Sequence, residues 1–428
     1  MTDRPPLESP TLQRLQGGLR NRKRAALVPF WNRVASSGTP LVERRKGNRR
    51  QSLLTFLWKG RPGTKRVAVR SMAFGLENPE TELARLPGSD VWYRSFTVPN
   101  DLRALYQFGV DDLTTPIQNW PDWMAREKGW RVDPLNPRRF TCVPDRQFPK
   151  DPMNYRTTTF SYVELPRAPR HAEADPQKGV EQGTIQRHRI RSRILGDSRR
   201  VWLYLPAGFR DGKRGLHVAI FFDGFWCTTP GYPVATILDN LVAEGRVPPV
   251  VGVLVDARRM CTDRWRDMVY RPEPFGRFLV RELLPWVERT LGTRCRPERT
   301  ALVGWSGGGL SALRYALAYP DHFGLVLSQS GSFWVEDPLR HEPGAVIGAI
   351  LNQPRPAPLR VYMEAGIYED RTGGSGVSLL SANRLVRDVL KLKGIRLTYR
   401  EFTGGHDITC WRQSLVDGLV DIFGNRAG

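Results

Sequence analysis

The chain is short of cysteine and of long apolar runs, and each shortage removes a class of protein. Its five cysteines, Cys142, Cys227, Cys261, Cys295 and Cys410, are odd in number and scattered, without the close pairs of a zinc site or a disulfide framework. That usage suits a reducing compartment. No stretch approaches the roughly 18 consecutive apolar residues that span a bilayer, and charges stand where a secretory signal would need its apolar segment. The cytoplasm is therefore the expected location, and no membrane partner is expected. Acidic residues are scarce too, with 43 Asp and Glu against 65 Lys and Arg, a net charge of +22. Such an excess signals nucleic acid, an anionic surface or an anionic small substrate. No zinc-finger, homeodomain or RNA-binding signature is present, so nucleic acid is not the expected partner. Nothing in the sequence sets an oligomeric state.

The basic charge is unevenly spread. Residues 1–50 carry 12 basic and 3 acidic side chains in a stretch rich in Arg, Pro, Gly and Ser with little apolar periodicity, which reads as a disordered tail. Over 51–165 the apolar segments are short and rich in β-formers ("SLLTFLW", "RVAVRSM", "VWYRSFTV", "ALYQFGV", "YRTTTFSYV"). Turn sequences such as "LPGSD" separate them, the pattern of an all-β, immunoglobulin-like sandwich. Residues 166–184 are polar and proline-bearing and read as a linker. From 185 to 428, apolar strand runs such as "HVAIFFDG", "VVGVLVDA" and "FGLVLSQSG" alternate with helical stretches. That alternation predicts a mostly parallel, doubly wound α/β sheet, with functional residues at the strand carboxyl ends.

One joint between strand and helix carries chemistry. In "TALVGWSGGGLSALRYALAYP" a buried-strand run meets a helix through Gly304-Trp305-Ser306-Gly307-Gly308, a G-x-S-x-G turn of the kind that lifts a strained serine above an α/β-hydrolase sheet. A phosphate-binding loop would need Lys followed by Ser or Thr after these glycines, and neither follows. A serine hydroxyl is a poor nucleophile until a base takes its proton. Among six histidines, His406 in "FTGGHDITCWRQSL" lies between the last strand and the last helix, where this fold class places its base. His217 opens a strand, and His171, His188, His322 and His341 stand in polar or linker-like contexts. The acid is expected on the turn "IYEDRTGG" after the strand "LRVYMEAG". Glu369 and Asp370 are both candidates, Glu364 is a third with a more structural setting, and Asp407 reads as a loop stabiliser. Oxyanion donors are expected from the N–H of Gly307, directly after the nucleophile, and from Phe225 after Asp223-Gly224.

Together these residues resemble the enterochelin (enterobactin) esterase family, in which an N-terminal β-sandwich precedes an esterase-D-like α/β-hydrolase domain. The stretches "DGFW", "PPVVGVLVDA", "RELLPWV", "SGGGLSAL", "FGLVLSQSGSFW" and "GGHDITCWRQSL" carry the likeness. The resemblance implies a small-molecule substrate, a ferric catecholate siderophore whose lactone esters are hydrolysed. The iron belongs to that substrate, and no cofactor or catalytic metal is implied. It favours Glu369 as the acid. A ferric tris-catecholate is a trianion, so the resemblance also implies cationic contacts, with Arg264 first and Arg258 and Arg412 behind it. Trp226, Trp305, Phe333 and Trp334 are the aromatic candidates for walls around catechol rings. Two other readings compete: a feruloyl-type carbohydrate esterase with a glycan-binding N-terminal domain, and a non-catalytic binder of siderophore or nucleic acid.

Overall fold

A computed structural model describes residues 6–424 apart from 46, 76–79, 114–119, 152–156, 213–214, 335–344, 354–357 and 371–377; His341 lies outside the described residues. The chain forms two compact units. The first comprises Met1–Cys142, Thr157–Pro169 and Thr403–Asp407, and the second comprises Val143–Arg156, Arg170–Phe402 and Ile408–Gly428.

In the first unit the short β-rich runs pair as two antiparallel four-stranded sheets. One has β1 (Leu41–Arg44), β2 (Gln51–Lys59), β5 (Val91–Pro99) and β4 (Ala84–Arg85) in that order, and the other has β3 (Val67–Arg70), β6 (Arg103–Val110), β8 (Thr158–Glu164) and β7 (Arg139–Cys142). Phe56 of β2 meets Tyr106 and Phe108 of β6 edge-on, at centroid distances of 4.8 and 6.4 Å, so aromatic rings fill the space between the sheets.

Residues 6–45 and 47–50 are not the disordered tail that composition suggests for 1–50. Helices Pro10–Arg22 and Leu27–Ser37 form, and β1 pairs with β2. Side chains alternate along a strand, so when Phe56 points between the sheets Leu57 points the other way. There Leu12, Leu15, Phe30, Trp31 and Val34 pack with Leu57, Leu86, Val91 and Tyr93. Each such burial contributes about 1.5–3 kcal/mol, and the Trp31 indole N–H donates to Asp90 at 2.9 Å. The apolar stripes of the two helices are brief, and the charge between them dominates the composition of this stretch.

The second unit is built on an eight-stranded sheet ordered β16-β15-β14-β13-β11-β12-β10-β9. Its strands are β9 (Thr184–Ser192), β10 (Asp197–Leu205), β11 (His217–Phe221), β12 (Val250–Val255), β13 (Thr300–Trp305), β14 (Leu325–Gln329), β15 (Arg360–Gly366) and β16 (Arg396–Phe402). β9 and β10 are antiparallel, and β11 to β16 run parallel. Continuous apolar runs such as β12 are buried along their whole length, as strands covered on both faces must be. On one face Val326 and Val361 join the core that includes helix Gly307–Ala318; on the other, Leu327 and Tyr362 approach Gly418 of helix Ile408–Phe423.

The linear boundaries expected at 165 and 185 are also corrected. Residues 143–156 belong to the second unit, where the buried Arg200 guanidinium is shared between Asp145 and Asp256. So does most of the expected linker: the Asn240 side-chain amide donates to the Glu173 carbonyl at 2.8 Å. Residues 403–407 belong to the first unit. Polar loop segments look alike in sequence, and only their burial partners assign them.

Candidate active site

β13 ends at Trp305 and a helix begins at Gly307, leaving Ser306 alone at the turn with φ 56° and ψ −123°. A left-handed non-glycine residue costs roughly 1–3 kcal/mol and persists only when its surroundings impose it. Here the neighbouring strand does so. The Ser306 N–H donates to the Gln329 carbonyl at 2.9 Å, and its own carbonyl accepts from the N–H groups of Leu310 (3.1 Å) and Ser332 (3.0 Å). The flanking glycine is required by the sharpness of the turn, since a Cβ on Gly304 would lie 2.5 Å from the Gly308 carbonyl. The Ser306 hydroxyl is held 3.2 Å from that of Ser332, a neighbour that the repeated small residues of "SQSGS" hint at but do not identify.

The second turn follows β11. Asp223 is also left-handed, with φ 58°, and the Gly224 N–H donates to the Val255 carbonyl at 2.8 Å. Beyond it, the Phe225 N–H has no acceptor among the described residues, and neither has the Gly307 N–H. Two unpaired backbone donors on adjoining turns are what a developing oxyanion needs.

Arg264 joins these turns. Its Nε and Nη2 both donate to the Asp223 carboxylate at 2.7 Å, and Nη2 also donates to the Trp305 carbonyl at 3.2 Å. Only 4% of Arg264 is exposed. Arg264, the first of the expected substrate cations, is thus ion-paired with a buried carboxylate that its place in the sequence does not reveal. Arg258 and Arg412 are ion-paired as well. Arg258 pairs with Asp197 at 3.0 Å and Asp263 at 3.3 Å; Arg412 bonds Asp175 and the Ala174 carbonyl.

The aromatic candidates divide. Phe333 is in the hydrophobic core with Trp334 packed against it. The Trp305 ring stacks on Trp411 at 5.0 Å, with the Arg264 guanidinium 5.0 Å from its centre. Trp226 lies edge-on to Phe225 at 6.0 Å. The acids divide as well. Glu369 is fully buried, with Oε2 accepting the Gly366 N–H at 2.9 Å, whereas Asp370 is exposed. His406 is half-buried in the loop between β16 and the last helix. Beside it the Asp407 carboxylate accepts the Leu105 N–H at 3.2 Å within the first unit.

Below the Ser306 turn lies a polar network that motif reading does not reveal. The Gln329 amide donates to Glu364 at 2.9 Å, to the Trp411 carbonyl at 2.9 Å and to the Ser414 hydroxyl at 2.9 Å, while Tyr232 donates to its side-chain oxygen. Tyr362 and Ser414 also donate to Glu364. Burial pushes the Glu364 carboxyl up to about 7, against the pull of these donors. Glu364 thus belongs to the support of the residue whose carbonyl holds Ser306.

A left-handed serine between a central parallel strand and a helix, in a sheet of this order, defines an α/β-hydrolase of the esterase type. The family described as putative esterase matches residues 192–422, and the one described as the enterochelin esterase N-terminal domain matches residues 53–174. The iron(III) enterobactin esterase of Escherichia coli strain K12 is 30% identical over 396 residues, covering 86% of this chain and 91% of the relative. That of Dickeya dadantii strain 3937 is 29% identical over 426 residues, covering 91% of each. The crystal structure of the Shigella flexneri enterobactin esterase in the presence of enterobactin is similar with a TM-score of 0.70 and 28% identity, covering 92% of this chain and 97% of that one. The chain belongs to the enterobactin esterase family. Among the described residues no helix is long and apolar enough to cross a membrane.

Proposed function

We propose that the chain is a cytoplasmic serine esterase that hydrolyses the trilactone esters of an imported ferric catecholate siderophore such as enterobactin, so that its iron is released. The observation that carries this reading is the strained Ser306, set beside two backbone donors that have no acceptor among the described residues. Ser306 Oγ attacks the lactone carbonyl carbon as His406 takes its proton. The oxyanion is held by the N–H groups of Gly307 and Phe225. Collapse breaks the acyl C–O bond, and His406 returns the proton to the departing alkoxide. Water, deprotonated by His406, then attacks the acyl-enzyme, and the products are a carboxylic acid and a free Ser306. Glu369 is the acid that orients His406. Its burial supports this over the exposed Asp370, since a buried carboxylate holds an imidazole more strongly than a solvated one. The iron is cargo of the substrate, and no resident metal or cofactor takes part.

The net charge of +22 suits an anionic substrate. A glycan-binding N-terminal module is disfavoured because residues 53–174 match the enterochelin esterase N-terminal family. Assays of purified protein against ferric enterobactin, iron-free enterobactin and a feruloyl ester, with Ser306→Ala in parallel, test the reading. Rapid cleavage of ferric enterobactin that is lost in Ser306→Ala is expected. Preference for the feruloyl ester, or full activity in Ser306→Ala, would overturn it.

A further inference from the structure

Arg264 is one of the most constrained cations in the molecule, and its partners are the two turns that frame the reaction. Its side chain is 5% exposed and that of Asp223 is fully buried. Burying two charges is costly unless geometry and additional hydrogen bonds compensate. Here the pair is bidentate, with both bonds at 2.7 Å, and a third bond at 3.2 Å goes to the Trp305 carbonyl, directly before the nucleophile. The Trp305 ring adds a face 5.0 Å from the guanidinium. The remaining nitrogen, Nη1, lies so close to the Ser306 turn that a Cβ on Gly307 would be 3.0 Å from it.

The consequence concerns distance between donors. Phe225 is two residues beyond Asp223, on a turn whose left-handed first residue is held by Arg264. Gly307 is two residues beyond Trp305, whose carbonyl is held by the same guanidinium. The fork of an arginine can grip a carboxylate with two parallel bonds and still reach a third acceptor, which an ammonium on a flexible stem cannot do in one rigid geometry. We propose that Arg264 is a positioning residue: clamped on Asp223 and Trp305, it sets the spacing of the Phe225 and Gly307 N–H groups and does not recognise the substrate's negative charge. The inference rests on the reading of Ser306 as the nucleophile of an esterase.

A clamp and a substrate cation respond differently to the charge of the ester. Arg264→Gln, Arg264→Lys and Asp223→Asn are compared with the unaltered chain on a neutral ester, 4-nitrophenyl acetate, and on ferric enterobactin. Thermal midpoints are measured alongside. If Arg264 is a clamp, kcat falls about 10- to 100-fold on both esters in all three variants, with KM within about threefold. Lysine keeps the charge but not the fork, so it does not restore kcat; should Arg264→Gln fail to fold, Arg264→Lys carries the test. The proposal is overturned if Arg264→Gln keeps its kcat on the neutral ester and raises KM only for ferric enterobactin. It is also overturned if lysine restores activity on ferric enterobactin. If the unaltered chain cleaves the neutral ester but not ferric enterobactin, the substrate assignment fails instead, and the neutral-ester kcat still decides the role of Arg264.

Discussion

The turn at Ser306 and the loop at His406 are assigned to one reaction, yet the chain holds them in different ways. The Ser306 turn is supported by its own glycines and by the strand next to it in the sheet, whose Gln329 carbonyl takes the Ser306 N–H. The loop at 403–407 is held within the other unit. The Thr403 carbonyl accepts the Arg103 N–H at 3.2 Å, the Asp407 carboxylate accepts the Leu105 N–H, and a Cβ on Gly405 would lie 2.5 Å from the Met72 carbonyl carbon. The serine turn is recognisable from contiguous residues because its glycines permit the sharp bend, while the adjacent strand holds its torsion. The loop at His406 takes its shape from residues some three hundred positions earlier in the chain.

The largest expected effect treats the two as one machine. Ser306→Ala and His406→Ala should each lower kcat by about 10⁴-fold or more, and the double variant should be little worse than either. Additive losses in ferric enterobactin hydrolysis would show that they act separately. Next in size, Glu369→Ala should cost about 10³- to 10⁴-fold in kcat through a disoriented imidazole, while Asp370→Ala stays close to the unaltered rate. A reversed order would move the acid to the exposed side of the turn.

Glu364 probes the support beneath the Ser306 turn. Its carboxyl titrates at about 7 in the folded chain against an ordinary value of 4.5. Between those values the folded state holds a proton that the unfolded state has lost, so stability falls as pH rises through that window. The span corresponds to an upper limit of about 3 kcal/mol. Glu364→Gln should flatten the dependence in urea unfolding measured at pH 5 and pH 8; an unchanged slope would remove Glu364 as its source. The smallest expected effect falls on the loop. In Gly405→Ala the added methyl must displace the backbone near His406, and a loss of about 10- to 100-fold in kcat is expected. Full activity would mean that the grip of the first unit on this loop does not position the base.

Much of the second unit was legible from pattern. Its strand runs and helical stretches alternate, and each strand core is a continuous apolar run whose burial follows from hydrophobicity alone. The first unit was legible only in its strands. The helices at 10–22 and 27–37 are not legible there because their apolar stripes, Leu12 with Leu15 and Phe30, Trp31 with Val34, are short and sit among arginines. They become ordered because β2 has a second apolar face for them to cover. Arg264 illustrates the same limit in the site. A motif position marks it as a cation near the reaction, but whether its charge is free depends on the Asp223 carboxylate 41 residues away.

The serine turn, its glycines and the chain order of the groups proposed to react follow from the amino-acid sequence, because torsion preferences and strand-to-helix turns are properties of neighbouring residues. The burial of Glu369 rather than Asp370, the neutralisation of Arg264 and the ordering of the N-terminal helices were settled by tertiary structure. Burial and charge pairing depend on what packs against a side chain, and its partners come from distant parts of the chain.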